Sequence, residues 1–289
     1  MKNVYWLLFV VACLAVIILF VIPAFNGRLL ISPYLKVGDI TFRFYGLIMA
    51  ASVLLGYLIA RNYSPRFGIL KQEIDNFGFW LIIVAFLGAR LYFVLFAWEY
   101  FKENPIEVVT VWHGGLSIYG AILSGLLFSF LWARKKAYGF RMLLDNLALG
   151  LPLAQALGRW GNFVNSEAFG LPTNLPWKMY VVPERRPPAF LEMEYFHPAF
   201  LYESLAMIAV FFILKAILGK VKPGVLAFSY LGLYSLVRFF VEQLRLDSVW
   251  IGEIRSDQLI AMIIVLISGI IILRWQFGLG QEELVEKSG

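Results

Sequence analysis

Polar residues crowd the segment GRWGNFVNSEAFG, which spans residues 158–170. Arg159, Asn162, Asn165 and Glu167 lie in it, directly after about fifteen apolar residues that are typical of a membrane helix. Amides at a helix end can satisfy free backbone groups. A cap of that kind does not need an arginine together with a carboxylate. The segment is therefore a candidate for binding or chemistry at the edge of a bilayer.

A second set of polar residues lies inside an apolar stretch, GLYSLVRFFVEQLR. Tyr234, Arg238 and Glu242 recur there in steps of four, which puts all three on one helix face. An ionisable group inside a membrane span costs about 2.5–3.5 kcal/mol on insertion scales. Arg238 and Glu242 are therefore either an ion pair that fixes helix packing or part of a functional site.

The segment VWHGGLSIYGA contains His113, one of two histidines in the chain. Gly114 and Gly115 follow it and allow a ligand or another chain to approach the backbone closely. A lone interfacial histidine is usually an ordinary polar residue, so a catalytic role for His113 needs other support. Two histidines without companion cysteines or a carboxylate motif make a poor metal site.

The composition shows what must position these residues. The chain has 289 residues, of which 61% are hydrophobic and 15% charged, whereas soluble domains carry about 25% charged residues. These values indicate a polytopic membrane protein. The net charge of +6 fits cytoplasmic loops and anionic lipid, and no basic cluster with interleaved aromatic residues suggests nucleic acid. The single cysteine, Cys13, excludes a disulfide framework.

The hydropathy pattern predicts eight membrane spans, each near the 20 residues or so that a bilayer requires. They cover about 4–23, 43–60, 77–97, 114–133, 142–158, 198–218, 224–241 and 257–275. The fifth is the weakest because Asp145, Asn146, Pro152 and Gln155 interrupt it. We interpret the first as a retained helix, since its flanks are poor for a signal peptide.

Lysine and arginine counts predict the orientation of these spans. The loops 61–76 and 134–141 and the turn after span six are the basic ones, and they fall on one side, which should be cytoplasmic. Both termini are then cytoplasmic, and the longest loop, 159–197, forms a small ordered cap outside. Arg90 and Tyr45 also fall toward the outer face, although either could be an interfacial anchor.

Five separate segments thus put polar groups at one depth on the outer side. Arginines suit a phosphate, because a guanidinium binds it with paired hydrogen bonds. A phosphate at that depth belongs most naturally to a phospholipid, and a nearby histidine or tyrosine could move a proton. The residues alone therefore indicate an enzyme or a transporter that handles an anionic lipid.

The pattern Gly158-Arg159-x-Gly161-Asn162-Phe163-x-Asn165-x-Glu167-x-x-Gly170 resembles the signature of the prolipoprotein diacylglyceryl transferase family. It fixes eight positions in thirteen, so a chance match is very rare. The resemblance covers about residues 38–275. It also includes the segments RFYGL, GARLYFVLF, HGGLSIYGA, LPTNLPW, HPAFLYES and LYSLVRFFVEQLR.

The resemblance implies transfer of the diacylglyceryl group of phosphatidylglycerol to the lipobox cysteine of a prolipoprotein signal peptide. A thioether forms and glycerol phosphate leaves, with no metal or cofactor. The implied fold is an all-α polytopic membrane protein in a bacterial plasma (inner) membrane, with its active site at the outer face. We expect an extra helix and connection in residues 1–37, a seven-helix core with an outer head in 38–275, and a cytoplasmic tail in 276–289.

The resemblance also implies roles for residues. Arg159 would hold the phosphatidylglycerol head group, Arg238 would support it, and His113 matches the candidate base. Tyr45, or a thiolate stabilised by arginine, could replace that base, since a free thiol has a pKa near 8.5 and is mostly protonated at neutral pH. The remaining positions expected to bind substrate are Asn162, Asn165, Glu167, Gly170, Tyr234, Glu242, Arg90, Gly114 and Gly115.

Two other classes of protein are alternatives. A lipid or small-anion transporter would show paired broken helices at mid-membrane and usually inverted repeats. A structural membrane protein would give no reason for phosphate-compatible groups to gather at one face. Neither explains the sequence as well as a transferase does.

Overall fold

The structure of the protein is a computed structural model, which describes residues 11, 15–38, 40–246 and 248–278. Most of the described residues are helical. Seven helices have 17 residues or more within this described part of the chain: α1 (Phe44–Tyr63), α2 (Lys71–Phe96), α3 (Ile118–Arg134), α4 (Phe140–Val164), α5 (Ala199–Ile217), α6 (Val225–Glu242) and α7 (Ser256–Phe277).

Short antiparallel hairpins accompany the helices. Their strands are β1 (Tyr34–Val37) with β2 (Ile40–Arg43), β3 (Met179–Tyr180) with β4 (Tyr195–Phe196), and β5 (Trp250–Ile251) with β6 (Ile254–Arg255). In the first hairpin Tyr34 is opposite Arg43, and in the second Met179 is opposite Phe196. The third hairpin lies directly before α7.

Five helices among the described residues are long and apolar enough to cross a membrane: Phe44–Phe67, which is α1 with the 3₁₀ turn after it, α2, α5, α6 and α7. A helix rises about 1.5 Å per residue, so about 20 residues match a hydrocarbon core of about 30 Å. The α3 helix is apolar but shorter. The prediction of a mostly helical, polytopic membrane protein is confirmed.

The first predicted span, 4–23, lies largely outside the described residues. Its described end is helical, with a π-helical turn at Ile17–Val21 followed by an α-helical turn at Ile22–Phe25. Most of the predicted tail, 276–289, is also outside the described residues.

The fifth predicted span ends too early in the sequence interpretation. The hydropathy pattern predicts 142–158, whereas α4 continues to Val164 and carries Arg159 and Asn162 within the helix. The apolar run ends at the polar residues of the motif, but the helix does not. A helix needs only its backbone hydrogen bonds to continue, and here protein groups satisfy the polar side chains. The predicted outer loop, 159–197, accordingly begins only after Val164.

The chain divides into two compact units. The first comprises the described residues of Met1–Leu55, Pro152–Ala216 and Ser229–Ile271. Its core is aromatic: Phe200 stacks on Phe163 with ring centroids 5.0 Å apart. The second unit comprises Gly56–Leu151, Ile217–Phe228 and the described residues of Ile272–Gly289. Its core gathers Ile69, Ile74, Phe77, Ala133, Tyr138 and Leu143.

Asp145, one of the polar residues that weakened the fifth predicted span, has a structural role in the second unit. Its carboxylate is buried and accepts the backbone N–H groups of Gly224 and Ala227, at 2.6 and 2.7 Å. These N–H groups lie at the start of α6, where a helix leaves donors unpaired and its dipole is positive. Asp145 therefore caps α6 from another helix.

Candidate active site

A buried carboxylate forms the centre of the polar cluster in the first unit. Glu203 lies near the start of α5, and its side chain is only 4% exposed. Its Oε2 is 2.5 Å from Nη2 of Arg159, and its Oε1 is 3.6 Å from Nη1 of Arg238. Nη1 of Arg245 is 3.7 Å from the same Oε1. One carboxylate thus contacts the guanidinium group of α4 closely and lies within ion-pair distance of guanidinium groups from α6 and from the segment after α6.

Arg238 is surrounded by further carboxylates. Its Nη2 is 2.8 Å from Oε2 of Glu242, one helical turn away, so the ion pair that the sequence spacing allows is present. The same nitrogen donates to Oδ2 of Asp257 in the first turn of α7, at 2.5 Å. Glu242 is buried, and its Oε1 accepts the hydroxyl of Ser248 at 2.5 Å. Arg238 is therefore fixed from several directions.

The second half of the motif 158–170 forms a compact turn after α4. The side chain of Asn162 donates from Nδ2 to Oε1 of Glu167 at 2.9 Å, and the N–H of Glu167 donates to the carbonyl of Asn162 at 3.0 Å. Ser166 and Ala168 have φ of 51° and 55°. Left-handed backbone at non-glycine residues costs about 1–3 kcal/mol and tends to occur at functional sites.

Two glycines of the motif are required by close approach. A Cβ on Gly161 would lie 2.9 Å from Cδ2 of the Tyr45 ring, so Tyr45 packs directly on the α4 backbone. A Cβ on Gly170 would lie 2.9 Å from Cβ of His197 and 3.0 Å from the carbonyl oxygen of Leu244. The N–H of Gly170 donates to the carbonyl of His197 at 2.9 Å. These contacts tie the motif to the segment that carries Arg245.

His113 belongs to the second unit and pairs with a carboxylate. Its Nδ1 is 3.0 Å from Oε2 of Glu107, and its side chain is 60% exposed. The hydroxyl of Thr110 donates to the same oxygen at 2.6 Å. The hydrogen bonds from Thr110 and then from His113 lower the pKa of Glu107 below its usual value. A carboxylate that accepts Nδ1–H leaves Nε2 of the imidazole available as a proton acceptor.

Arg90, also in the second unit, is buried and donates to backbone carbonyls. Its Nη1 is 2.7 Å from the carbonyl oxygens of both Gly114 and Gly115, and its Nε is 3.0 Å from that of Val108. A Cβ on Gly115 would lie 2.6 Å from this Nη1. Arg90 therefore orders the loop that carries His113, and Gly115 leaves room for it.

The structure thus groups the predicted residues into two sets, one in each unit. The first unit contains Tyr45, Arg159, Asn162, Asn165, Glu167, Gly170, Tyr234, Arg238 and Glu242, and the second contains Arg90, His113, Gly114 and Gly115. Tyr234 lies on α6 next to Tyr230, with ring centroids 6.1 Å apart. The N–H of Asn165 donates to the carbonyl of Gly161 at 3.1 Å.

Sequence reasoning missed Glu203, Arg245 and Asp257. Glu203 had a detectable signal, because it is an ionisable residue inside the predicted span 198–218. The membrane cost that selected Arg238 applies to it equally. Arg245 and Asp257 had no such signal, since both lie at the ends of apolar stretches.

The ion pairs of the cluster in the first unit are balanced in charge, and Arg255 adds a further guanidinium group that donates to the carbonyls of Glu242 and Arg245. Arg159, Arg238 and Arg245 are matched by the carboxylates Glu203, Glu242 and Asp257. A guanidinium has five N–H donors, so Arg159, which pairs with one carboxylate, keeps donors for a second anion, and Arg238 contacts Glu242 and Asp257 through the same nitrogen. The side chains of Arg159 and Arg238 remain 21% and 17% exposed. The arrangement can therefore present oriented guanidinium groups to a phosphate.

Comparison with known proteins agrees with the sequence pattern. The family model described as "Prolipoprotein diacylglyceryl transferase" matches residues 33–275. The chain is 43% identical over 273 residues to the phosphatidylglycerol–prolipoprotein diacylglyceryl transferase of Fervidobacterium nodosum, covering 92% of this chain and 94% of the relative.

Two further relatives have the same name. The enzyme of Nostoc sp. is 43% identical over 234 residues, covering 78% of this chain and 83% of the relative. That of Thermotoga maritima is 40% identical over 263 residues and covers 89% of both chains.

Proposed function

Because the chain belongs to the prolipoprotein diacylglyceryl transferase family, we propose that it transfers the diacylglyceryl group of phosphatidylglycerol to a prolipoprotein. The structural observation that supports this most directly is the set of guanidinium groups held around Glu203 in the first unit. Such groups recognise a phosphate in the fixed geometry that group transfer requires.

The reaction defines where charge develops. The thiolate sulfur of the acceptor cysteine attacks the glyceryl carbon that bears the phosphate, a C–S bond forms, and the C–O bond to the phosphate breaks. The phosphodiester carries one negative charge, and the glycerol phosphate that leaves carries one more. The thiol proton passes to a base or to solvent. Charge therefore grows on the phosphate, where Arg159 and Arg238 would stabilise it.

We assign the other residues of the cluster to positioning. Glu203, Glu242 and Asp257 orient the guanidinium groups through the contacts described above. Asn162 and Glu167 hold the turn after α4 through their mutual hydrogen bond. Gly170 and Tyr234 shape the surroundings of the cluster. The carboxylates thereby lower the free-energy cost of placing arginines in a membrane protein. They also fix the orientation of the guanidinium groups.

Two groups compete for the role of the base that takes the thiol proton. His113 matches the family's candidate base, and its contact with Glu107 leaves Nε2 free to accept a proton. Tyr45 packs on Gly161 and is the alternative. The variants His113→Gln and Tyr45→Phe separate these roles, because a general base contributes roughly 10²–10⁴ in rate.

The same proposal includes the acceptor, the membrane and the arrangement of the helices. The acceptor is the lipobox cysteine of a signal peptide, and the reaction takes place at the outer face of the bacterial inner membrane. The helices α1–α7 form a seven-helix core with a small outer head after α4, and the segment before residue 38 adds a further span. The predicted orientation supports this arrangement, since the basic loops 61–76 and 134–141 belong inside.

A direct assay tests the proposal. Purified full-length protein in detergent is incubated with phosphatidylglycerol and a peptide that contains a lipobox cysteine, and the peptide is weighed by mass spectrometry. We expect the mass of the peptide to increase by one diacylglyceryl unit at cysteine. A peptide of unchanged mass, with the protein folded, would refute the reaction. Movement of labelled lipid across vesicles without peptide modification would favour a transporter instead.

A further inference from the structure

A cavity of about 460 Å³ lies within the second unit, and none of the residues that line it is assigned to the reaction. Its wall combines apolar side chains, among them Phe67, Met142, Leu218 and Val221, with one cation, Arg66. Three connections of the chain line it: the turn after α1, the connection between α3 and α4, and the connection between α5 and α6. The cavity thus lies at the ends of helices that are apolar enough to cross a membrane.

The connections around the cavity are the basic ones. Besides Arg66 they carry Lys135, Lys220 and Lys222, and Arg134 is the last residue of α3. Among the described residues, none of these five cations is in an ion pair with a carboxylate, whereas the neighbouring Lys136 pairs with Glu73 at 2.9 Å. Lys220 and Arg66 are exposed. Arg66 lines the cavity itself, and Lys220 lies between the lining residues Gly219 and Val221, so the segments around the cavity carry positive charge that no carboxylate of the described residues pairs with.

The polar groups that line the cavity favour a ligand with hydrogen-bond acceptors, such as an anion, over a cationic ligand. Tyr138 is only 6% exposed, and its oxygen accepts a hydrogen bond from Nε1 of Trp132 at 2.9 Å. Within the described residues, the proton of that hydroxyl has no acceptor. Asp145 also lines the cavity, but both of its oxygens are used by the N–H groups that start α6. The hydrogen-bond donors that remain available to a ligand are thus the hydroxyl of Tyr138 and the cationic side chains.

We propose that this cavity binds an anionic phospholipid, with its phosphate at the basic rim around Arg66 and part of an acyl chain against the apolar wall. Unpaired cations suit a phosphate, and an apolar wall next to membrane-crossing helices suits a hydrocarbon chain. Basic pockets between helices on the cytoplasmic side of membrane proteins bind anionic head groups in this way. No residue that lines the cavity belongs to the transferase cluster, so its occupant is proposed as a bound lipid and not as a substrate.

Native mass spectrometry of the full chain in an uncharged detergent tests the proposal. The probe is phosphatidic acid, and phosphatidylcholine with the same acyl chains is the comparison. Because the guanidinium groups of the first unit could also bind the phosphate of this probe, the variants of the cavity show which part of the retention belongs to the cavity. We expect the protein to retain phosphatidic acid in preference to phosphatidylcholine. The double variant Arg66→Gln/Lys220→Gln should lower that retention by roughly fivefold for each charge removed.

Two further variants show whether retention depends on this cavity: the first is a control for general effects of charge, and the second blocks the cavity itself. Arg28→Gln/Lys36→Gln removes two exposed cations from the first unit and should leave retention unchanged. Ala137→Trp fills the cavity without changing charge and should lower retention of phosphatidic acid. Diacylglyceryl transfer should remain within about twofold in both cavity variants, so the outcome does not depend on the proposed reaction.

Three results would overturn the proposal. One is equal retention of the two lipids by the unmodified protein. Another is unchanged retention in both the Arg66→Gln/Lys220→Gln and the Ala137→Trp proteins. The third is full displacement of phosphatidic acid by inorganic phosphate. That result would mean that the cavity binds a simple anion and that the acyl chain contributes nothing.

Discussion

Replacing Glu203 by glutamine is expected to slow diacylglyceryl transfer without weakening the binding of phosphatidylglycerol. The carboxylate is buried, 2.5 Å from Arg159, and also close to Arg238 and Arg245. The amide of glutamine has nearly the same shape but no charge. The variant therefore removes the attraction that orients three guanidinium groups, while it leaves all three in place.

The magnitude follows from the burial of the pair. Removing one partner from a buried ion pair costs about 3–5 kcal/mol of folding free energy, and the retained amide oxygen should keep the loss near the lower value. A displacement of a substrate-holding group by about 1 Å costs roughly 10²-fold in rate. We expect kcat to fall about 100-fold. KM for phosphatidylglycerol should stay level or fall, because a negative charge near the bound phosphate is gone.

Steady-state transfer to a lipobox peptide, measured over a range of phosphatidylglycerol concentrations, separates the two constants. Glu184→Gln is the matched control, since Glu184 is exposed and pairs with no cation among the described residues. Glu203→Asp retains the charge and should recover part of kcat. A Glu203→Gln enzyme with normal kcat, or one that loses only affinity, would contradict the positioning role.

Other substitutions test separate parts of the proposal. Arg159→Ala and Arg238→Ala should each lower transfer by roughly 10³-fold while the protein still inserts into membranes, and near-normal turnover in either would exclude that arginine from the site. His113→Gln should lower kcat by roughly 10²-fold or more if His113 is the base, and unchanged turnover would assign the proton to Tyr45 or to solvent. Asp145→Asn should lower the free energy of unfolding by about 2 kcal/mol, because one of the two charged contacts of Asp145 with α6 is lost. Turnover per folded molecule should stay normal. An unchanged melting temperature would contradict the role of Asp145 as a cap.

The helices could be predicted because their signal is strong and local. Each span is a long apolar run, and the cost of exposing backbone to lipid allows little except a helix there. The end of α4 could not be predicted in the same way. The motif from Arg159 onward has the composition of a loop, and it is helical up to Val164 because Glu203 and Glu167 satisfy its polar groups.

The candidate site was predictable where its partners share one helix. Arg238 and Glu242 are four residues apart, so their ion pair follows from helix geometry. The contacts of Glu203 join α4, α5, α6 and the segment after it, and no spacing in the sequence encodes which of several arginines meets which carboxylate. Asp257 illustrates the same limit, because its contact with Arg238 depends on how α7 packs against α6.

The balance of charge in the cluster determines how a phosphate must be recognised. With each of Arg159 and Arg238 within 2.8 Å of a carboxylate, the group has little excess positive charge and little field at long range. An anion is then selected by directed hydrogen bonds at short range, which require the guanidinium groups to be held in one orientation. Neutralising any of the three carboxylates should therefore strengthen the attraction for anions in general while it lowers turnover, and this opposite response distinguishes a site built on orientation from one built on net charge.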